Sequence, residues 1–148
     1  MATVTSIRFH REGKNSGCIC DHCGQYIRNI WTVRYSNGKS LNFGIDCFSQ
    51  IRNHDGLSCH LEKKIKKELK FLQKLCDILD AYESGKITEE NDQAYSFEVY
   101  NCERNKQEPE SYEEFRAFYT EKCLPSWINE TVLRLKRLGF KIEELGDK

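Results

Sequence analysis

Polar and hydrophobic positions alternate at the start of the chain, with Val4, Ser6 and Arg8 on one side and Thr5, Ile7 and Phe9 on the other. A period of two predicts a strand over residues 4–10. Residues 30–36 read as a second strand, since Trp31, Val33 and Tyr35 put large or β-branched side chains at every other position. Asn37-Gly38 predicts a hairpin turn, because both residue types tolerate positive φ. Residues 40–43 return as the paired strand, Gly44 ends it, and Asp46 is placed to cap a short helix over 47–52. Residues 53–58 read as a linker. The period then changes: Leu61, Ile65, Leu69, Leu72, Cys76 and Leu79 step by three or four, so residues 60–83 form a long amphipathic helix stopped by Ser84-Gly85.

Further on the pattern is weaker. Tyr95, Phe97 and Val99 alternate, yet the acidic pair Glu89-Glu90 suits a helix start, and residues 88–104 are read as helix. Ser111 with Glu114 has the spacing of a capping box, which opens a helix through residue 122. Pro125 is expected to break it, with a last helix over 126–138 closed by Gly139 and a frayed end over 146–148. The fold class is α+β: a β-hairpin module over residues 1–56, then a helical body over 57–148.

Eight cysteines in 148 residues change this picture. Residues 1–10 lack the apolar stretch and cleavage site of a secretory signal, so the expected location is the cytoplasm, where clustered cysteines read as metal ligands rather than disulfides. Cys20 and Cys23 are separated by two residues in Cys-x-x-Cys-Gly, a spacing that grips one ion from a tight turn, with Gly24 folding the backbone back beneath it. The hairpin returns the chain, and Cys47 follows in Gly-x-x-Cys at a helix start, where the helix dipole favours thiolate. Zinc takes four such ligands in a tetrahedron. The position one helical turn after Cys47 holds Gln50, a poor ligand, so the fourth is either Cys18 or Cys59; His60 and His10 are weaker candidates, and a water there would give the site a catalytic form. Cys76 lies on the apolar stripe and, like the isolated Cys102 and Cys123, reads as a small buried hydrophobe. A module of about 50 residues needs a staple of this kind.

The stretch CDHCGQYI…NFGIDC resembles the treble-clef and zinc-ribbon modules common in small phage and mobile-element proteins. The resemblance covers residues 18–52, and it implies a structural zinc. In overall make-up the chain also resembles phage-encoded anti-CRISPR metalloproteins that inhibit Cas9, which implies a host nucleoprotein as partner and host cytoplasm as location.

Sets of catalytic residues are missing: no His-x-Glu with Pro-Cys-x-x-Cys, no His-Glu-x-x-His, no phosphate-binding glycine loop and no Gly-x-Ser-x-Gly. The expectation is a protein that is not an enzyme. Charge then suggests how it binds. Residues 1–76 carry 13 Lys+Arg and 6 Asp+Glu, while residues 77–148 carry 10 and 17, so +7 faces −7 in a neutral chain. The acidic half, with Glu89, Glu90, Asp92, Glu108, Glu110, Glu113 and Glu114, suits a basic nucleic-acid-binding surface such as the channel of Cas9. The basic half suits nucleic acid itself. Arg8, Arg11, Lys14, Arg28 and Arg34 surround the cysteine module, Lys63, Lys67, Lys70 and Lys74 line one helix face, and Tyr26, Trp31 and Tyr35 offer rings for stacking.

Overall fold

A computed structural model describes residues 4–52 and 58–138. Three strands form an antiparallel sheet in the order β1 (Val4–Arg11), β4 (Asn29–Tyr35), β5 (Ser40–Gly44), and the short pair β2 (Cys18–Ile19) and β3 (Tyr26–Ile27) makes a second sheet. The sequence reading missed this second pair, because two-residue strands leave no periodicity to see. The helices are α1 (Ile45–Ile51), α2 (Cys59–Glu83), α3 (Gln93–Arg104), α4 (Tyr112–Phe118) and α5 (Leu124–Leu138), with a π-helical turn at Tyr119–Cys123. The mixed α+β class and the N-terminal sheet are as expected. Contacts divide the chain into one unit of Met1–Gln73 with Thr131–Lys148 and a second of Lys74–Glu130.

In the first unit the sheet has one apolar face. Register sets Phe9 opposite Trp31 and Trp31 opposite Phe43. Trp31, Val33, Tyr35 and Phe43 are buried there, and α1 closes the face by stacking Phe48 on Trp31 at 4.5 Å between ring centroids. The burial of Trp31 and Tyr35 overturns their expected role as base-stacking rings: a ring in the core has no free face. The expected alternation in β1 also fails at its start. The register shifts between Val4 and Ser6, which sets Val4 opposite the buried Tyr35 and leaves Thr5 exposed, with its hydroxyl donating to the Arg34 carbonyl at 3.2 Å. An irregularity of this kind re-aims side chains by one position.

The hairpin turn differs in detail from the expected one. Among residues 36–39 only Gly38 has positive φ, at 84°. The Gly38 amide bonds to the Tyr35 carbonyl at 3.0 Å and the Tyr35 amide to the Lys39 carbonyl at 2.9 Å. This is the pattern of a three-residue loop with a glycine bulge rather than a two-residue turn. Helix α1 starts at Ile45 with Gly44 as its N-cap, so Asp46 lies inside the first turn and does not cap it. Arg52, buried at the end of α1, donates through both terminal nitrogens to the Glu62 carboxylate on α2, one bond measuring 3.0 Å. Farther along α2, Ile65, Leu69 and Leu72 are buried, and Arg134 on α5 donates to Glu68 at 3.0 Å.

The second unit is organised by one buried carboxylate. Asp92 caps α3 by accepting from the Tyr95 amide at 3.1 Å, and it accepts from the Tyr82 and Tyr112 hydroxyls at 2.7 and 3.0 Å. Asp92, rather than Glu89-Glu90, therefore starts this helix. Ser111 caps α4 as expected, accepting from the Glu114 amide at 3.2 Å. The break expected at Pro125 does not occur; the chain is helical from Tyr112 to Leu138. Proline removes an amide hydrogen and crowds the carbonyl four residues back. The π-turn absorbs both effects, because the Leu124 amide already reaches five residues back to the Tyr119 carbonyl. It also stacks Tyr119 on Phe115 at 5.4 Å and sets it edge-on to Trp127 at 5.7 Å. Gly139 and residues 146–148, expected to close and fray the last helix, lie outside the described residues, as does most of the expected linker.

Candidate metal centre

Cys20 and Cys23 sit in the turn that joins β2 to β3. The Cys20 amide donates to the Gln25 carbonyl at 2.8 Å, the Gly24 amide donates back to the Cys20 carbonyl at 2.9 Å, and Gly24 takes φ +77°. The glycine does what the sequence suggested, reversing the backbone where a side chain would be strained. Two clamps hold this turn. The Asp21 amide donates to the Asn42 carbonyl at 2.8 Å, while the Asn42 amide donates to the Asp21 carboxylate at 2.6 Å. The Tyr26 hydroxyl accepts from the Gly17 amide at 2.7 Å and donates to the Lys14 carbonyl at 2.8 Å. Tyr26, expected as a stacking ring, is thus committed at its polar end to the turn.

Cys47 comes to the same point from the first turn of α1. The sulfurs of Cys20, Cys23 and Cys47 all lie within 4.8 Å of one another. Four thiolates around one ion at ~2.3 Å would stand roughly 3.8 Å apart, so this spacing is compatible with a bound metal. Cys20 is buried, Cys47 half-buried and Cys23 exposed.

The three thiols are not equivalent. Burial pushes the Cys20 thiol up, but amide hydrogens of Cys23, Gly44 and His22 aimed at its sulfur outweigh that, and its net displacement is downward. Gly44 contributes through its backbone in a crowded place: a Cβ there would come 3.2 Å from an Ile27 methyl. Cys47 moves the other way. Burial, and the sharing of hydrogen bonds and charge with Cys23 and Cys20, push it up to about 12. Cys47 stands in the first turn of the seven-residue α1, where burial and two adjacent sulfurs work against the helix dipole. Three sulfurs this close repel one another as thiolates, and a soft divalent ion bound among them would offset that negative charge as their protons leave.

Of the two residues expected to complete the set, Cys18 is half-buried on β2 and Cys59 is exposed at the start of α2. Neither belongs to the group of three. Burial, with Asp21 and Cys20 nearby, raises the Cys18 thiol. Cys76 is fully buried on α2, as a small hydrophobe should be.

The other expected binding residues are placed as follows. Lys63, Lys67, Lys70 and Lys74 are exposed along α2. Glu89, Glu90, Glu108, Glu110, Glu113 and Glu114 are exposed, but Asp92 is 2% exposed and is removed from any partner surface. Its role was hidden because an acidic residue in an acidic stretch looks like its neighbours. Sequence reasoning also missed the Asp21–Asn42 clamp, which follows from strand register, and the amide donors to Cys20, which follow from backbone geometry. Among the described residues no helix is long and apolar enough to cross a membrane. No protein-family model, no curated protein and no solved structure matches the chain.

Proposed function

We propose that this is a non-enzymatic, zinc-stapled binding protein that engages a nucleoprotein through two oppositely charged units. Zinc is the proposed ion because three thiolates on a turn and a helix start suit a soft cation with no geometric demand of its own. The observation that carries the binding reading is the partition of charge. The unit Met1–Gln73 with Thr131–Lys148 holds 17 Lys+Arg and 9 Asp+Glu, whereas Lys74–Glu130 holds 6 and 14, giving +8 against −8. The first suits phosphate and the second suits the basic protein surface that handles phosphate. An anti-CRISPR action on Cas9, with the acidic unit hindering DNA loading, is the specific form of this proposal.

Elemental analysis of the pure protein tests the staple: one zinc per chain is expected, lost in C20S, C23S and C47S alike. Cas9 capture with and without guide RNA, together with a DNA-cleavage assay, tests the target. Absent capture with full cleavage eliminates Cas9 and leaves the metal reading intact. A second reading, direct nucleic-acid binding, is favoured by the exposed lysine row on α2. It predicts a gel shift that weakens steeply with salt.

A further inference from the structure

On the face of the three-stranded sheet turned away from Trp31 and Phe48, Ile30 is buried at one end, and the rest is polar with its side chains placed by register. Arg8 lies opposite Thr32, Thr32 opposite Asn42, Ser6 opposite Arg34 and Arg34 opposite Ser40. Directly opposed residues share a face, so Arg8 and Arg34 flank the Thr32–Asn42 pair. A hydrogen-bonded row runs across the strands here. His10 Nδ1 meets Glu12 Oε1 at 2.6 Å, His10 Nε2 meets Thr32 Oγ1 at 3.0 Å, and the Thr32 hydroxyl donates to Asn42 Oδ1 at 2.7 Å. The Asn42 backbone in turn holds Asp21, beside the metal ligand Cys20.

We propose that this outer sheet face binds the phosphodiester backbone of nucleic acid, with Arg8 and Arg34 as its cations and the Thr32–Asn42 row as its floor. It rests on the reading that the basic unit meets phosphate, and it names a surface other than the lysine row of α2. Both guanidiniums are exposed, and neither has a partner among the described residues. The strands from Ser6 to His10, Ile30 to Arg34 and Ser40 to Gly44 place no carboxylate on this face; Glu12 and Asp21 are bonded to the His10 ring and the Asn42 amide. Diagonal positions on neighbouring strands are about 7–8 Å apart, which two arginine side chains span to reach one phosphate or two successive ones. Guanidinium forks suit phosphate oxygens. The row beneath is already fixed by its own bonds, so binding orders few further groups. The aromatic rings of these strands point to the other face, so backbone contact without base preference is expected.

The test uses the zinc-loaded full chain and fluorescent anisotropy with labelled oligo-dT, oligo-U and a hairpin duplex over a series of salt concentrations. R8Q/R34Q should bind oligo-U at least tenfold more weakly at low salt. Its slope of log affinity against log salt should flatten by about 1.4, the value for two lost single-strand phosphate contacts. Circular dichroism and metal content should not change, because both side chains are exposed. K63Q/K67Q/K70Q is the contrast. If the parent binds and only the lysine variant weakens, the sheet-face assignment is overturned while the basic-unit reading stands. If the parent binds none of the three strands, both fall.

Discussion

Replacing Asp92 by alanine tests how the second unit is held together. The carboxylate accepts three bonds, from the Tyr95 amide at 3.1 Å, the Tyr82 hydroxyl at 2.7 Å and the Tyr112 hydroxyl at 3.0 Å. Loss of the helix cap costs about 1 kcal/mol. Tyr82 is 2% exposed, so its hydroxyl would be left dry and unpaired, at about 2 kcal/mol. Tyr112 is half-buried and can turn to water, which limits its share to ~1 kcal/mol. Removing a buried carboxylate also removes its desolvation cost, which trims the sum. A net loss of about 3 kcal/mol is expected, or roughly 6–12 °C in melting temperature for a chain of this size. Urea unfolding followed by circular dichroism reads it. A double-mutant cycle with Tyr82→Phe should show coupling of about 1–2 kcal/mol, since the phenylalanine change costs little once the acceptor is gone. A D92A variant within ~1 kcal/mol of the parent, or a Tyr82→Phe cost that is the same in both backgrounds, would refute the carboxylate's organising role.

Three further outcomes are expected. Gly17→Ala should lower metal affinity and cost about 1–3 kcal/mol, because its Cβ would stand 2.1 Å from the Ile27 carbonyl oxygen; zinc titration against a chromophoric chelator measures the first effect and thermal unfolding the second. Glu62→Ala should cost roughly 3–5 kcal/mol, since it strands Arg52, whose side chain is fully buried; Glu62→Gln, which keeps an acceptor, should cost less, and equal costs would contradict the ion pair. The tyrosines give a pH dependence. Burial first, then the bond to Asp92, pushes Tyr112 up to about 12 and Tyr82 higher still. Folded values above the unfolded value of about 10 mean that their contribution is complete below that pH and disappears as pH rises through the folded values. Tyrosinate absorbance during alkaline titration should therefore lag in the parent and advance in D92A.

The three clustered cysteines were legible because their chemistry is local: a two-residue spacing with a following glycine, and a helix start beyond a hairpin, fix which sulfurs can meet. Their inequality was not legible. It depends on amide hydrogens of His22, Cys23 and Gly44 that no residue type advertises. The strand over Trp31 and Tyr35 could be read from alternation, yet the same rings also stood as a stacking platform until their burial decided against it. Pro125 misled for a related reason. Its cost is real, but it is absorbed by a π-turn whose only sequence trace is the proline itself. Asp92 and Arg52 were invisible for one shared cause: a charged side chain is recognisable as buried only when the partners that neutralise or satisfy it are known, and Glu62, Tyr82 and Tyr112 lie at separations that no local pattern links.

Arg52 bears on the metal centre in a way its position outside the cysteine cluster conceals. Helix α1 has seven residues, well under the ~12–15 at which an isolated helix begins to hold in water. It exists because of what it packs on: Phe48 stacks on Trp31, and Arg52 locks the helix end to Glu62 on α2. Cys47 rides on that helix between the sheet edge and these two anchors. The third sulfur is therefore delivered by tertiary contacts, while Cys20 and Cys23 are delivered by a local turn. An ion bound at this cluster would be coupled to core formation, since gathering three sulfurs would also draw α1 onto Trp31, and a core that loses Phe48 or Arg52 would let the third sulfur drift away. A stripped protein should thus lose the packing of Trp31 together with its metal, which near-ultraviolet circular dichroism would read.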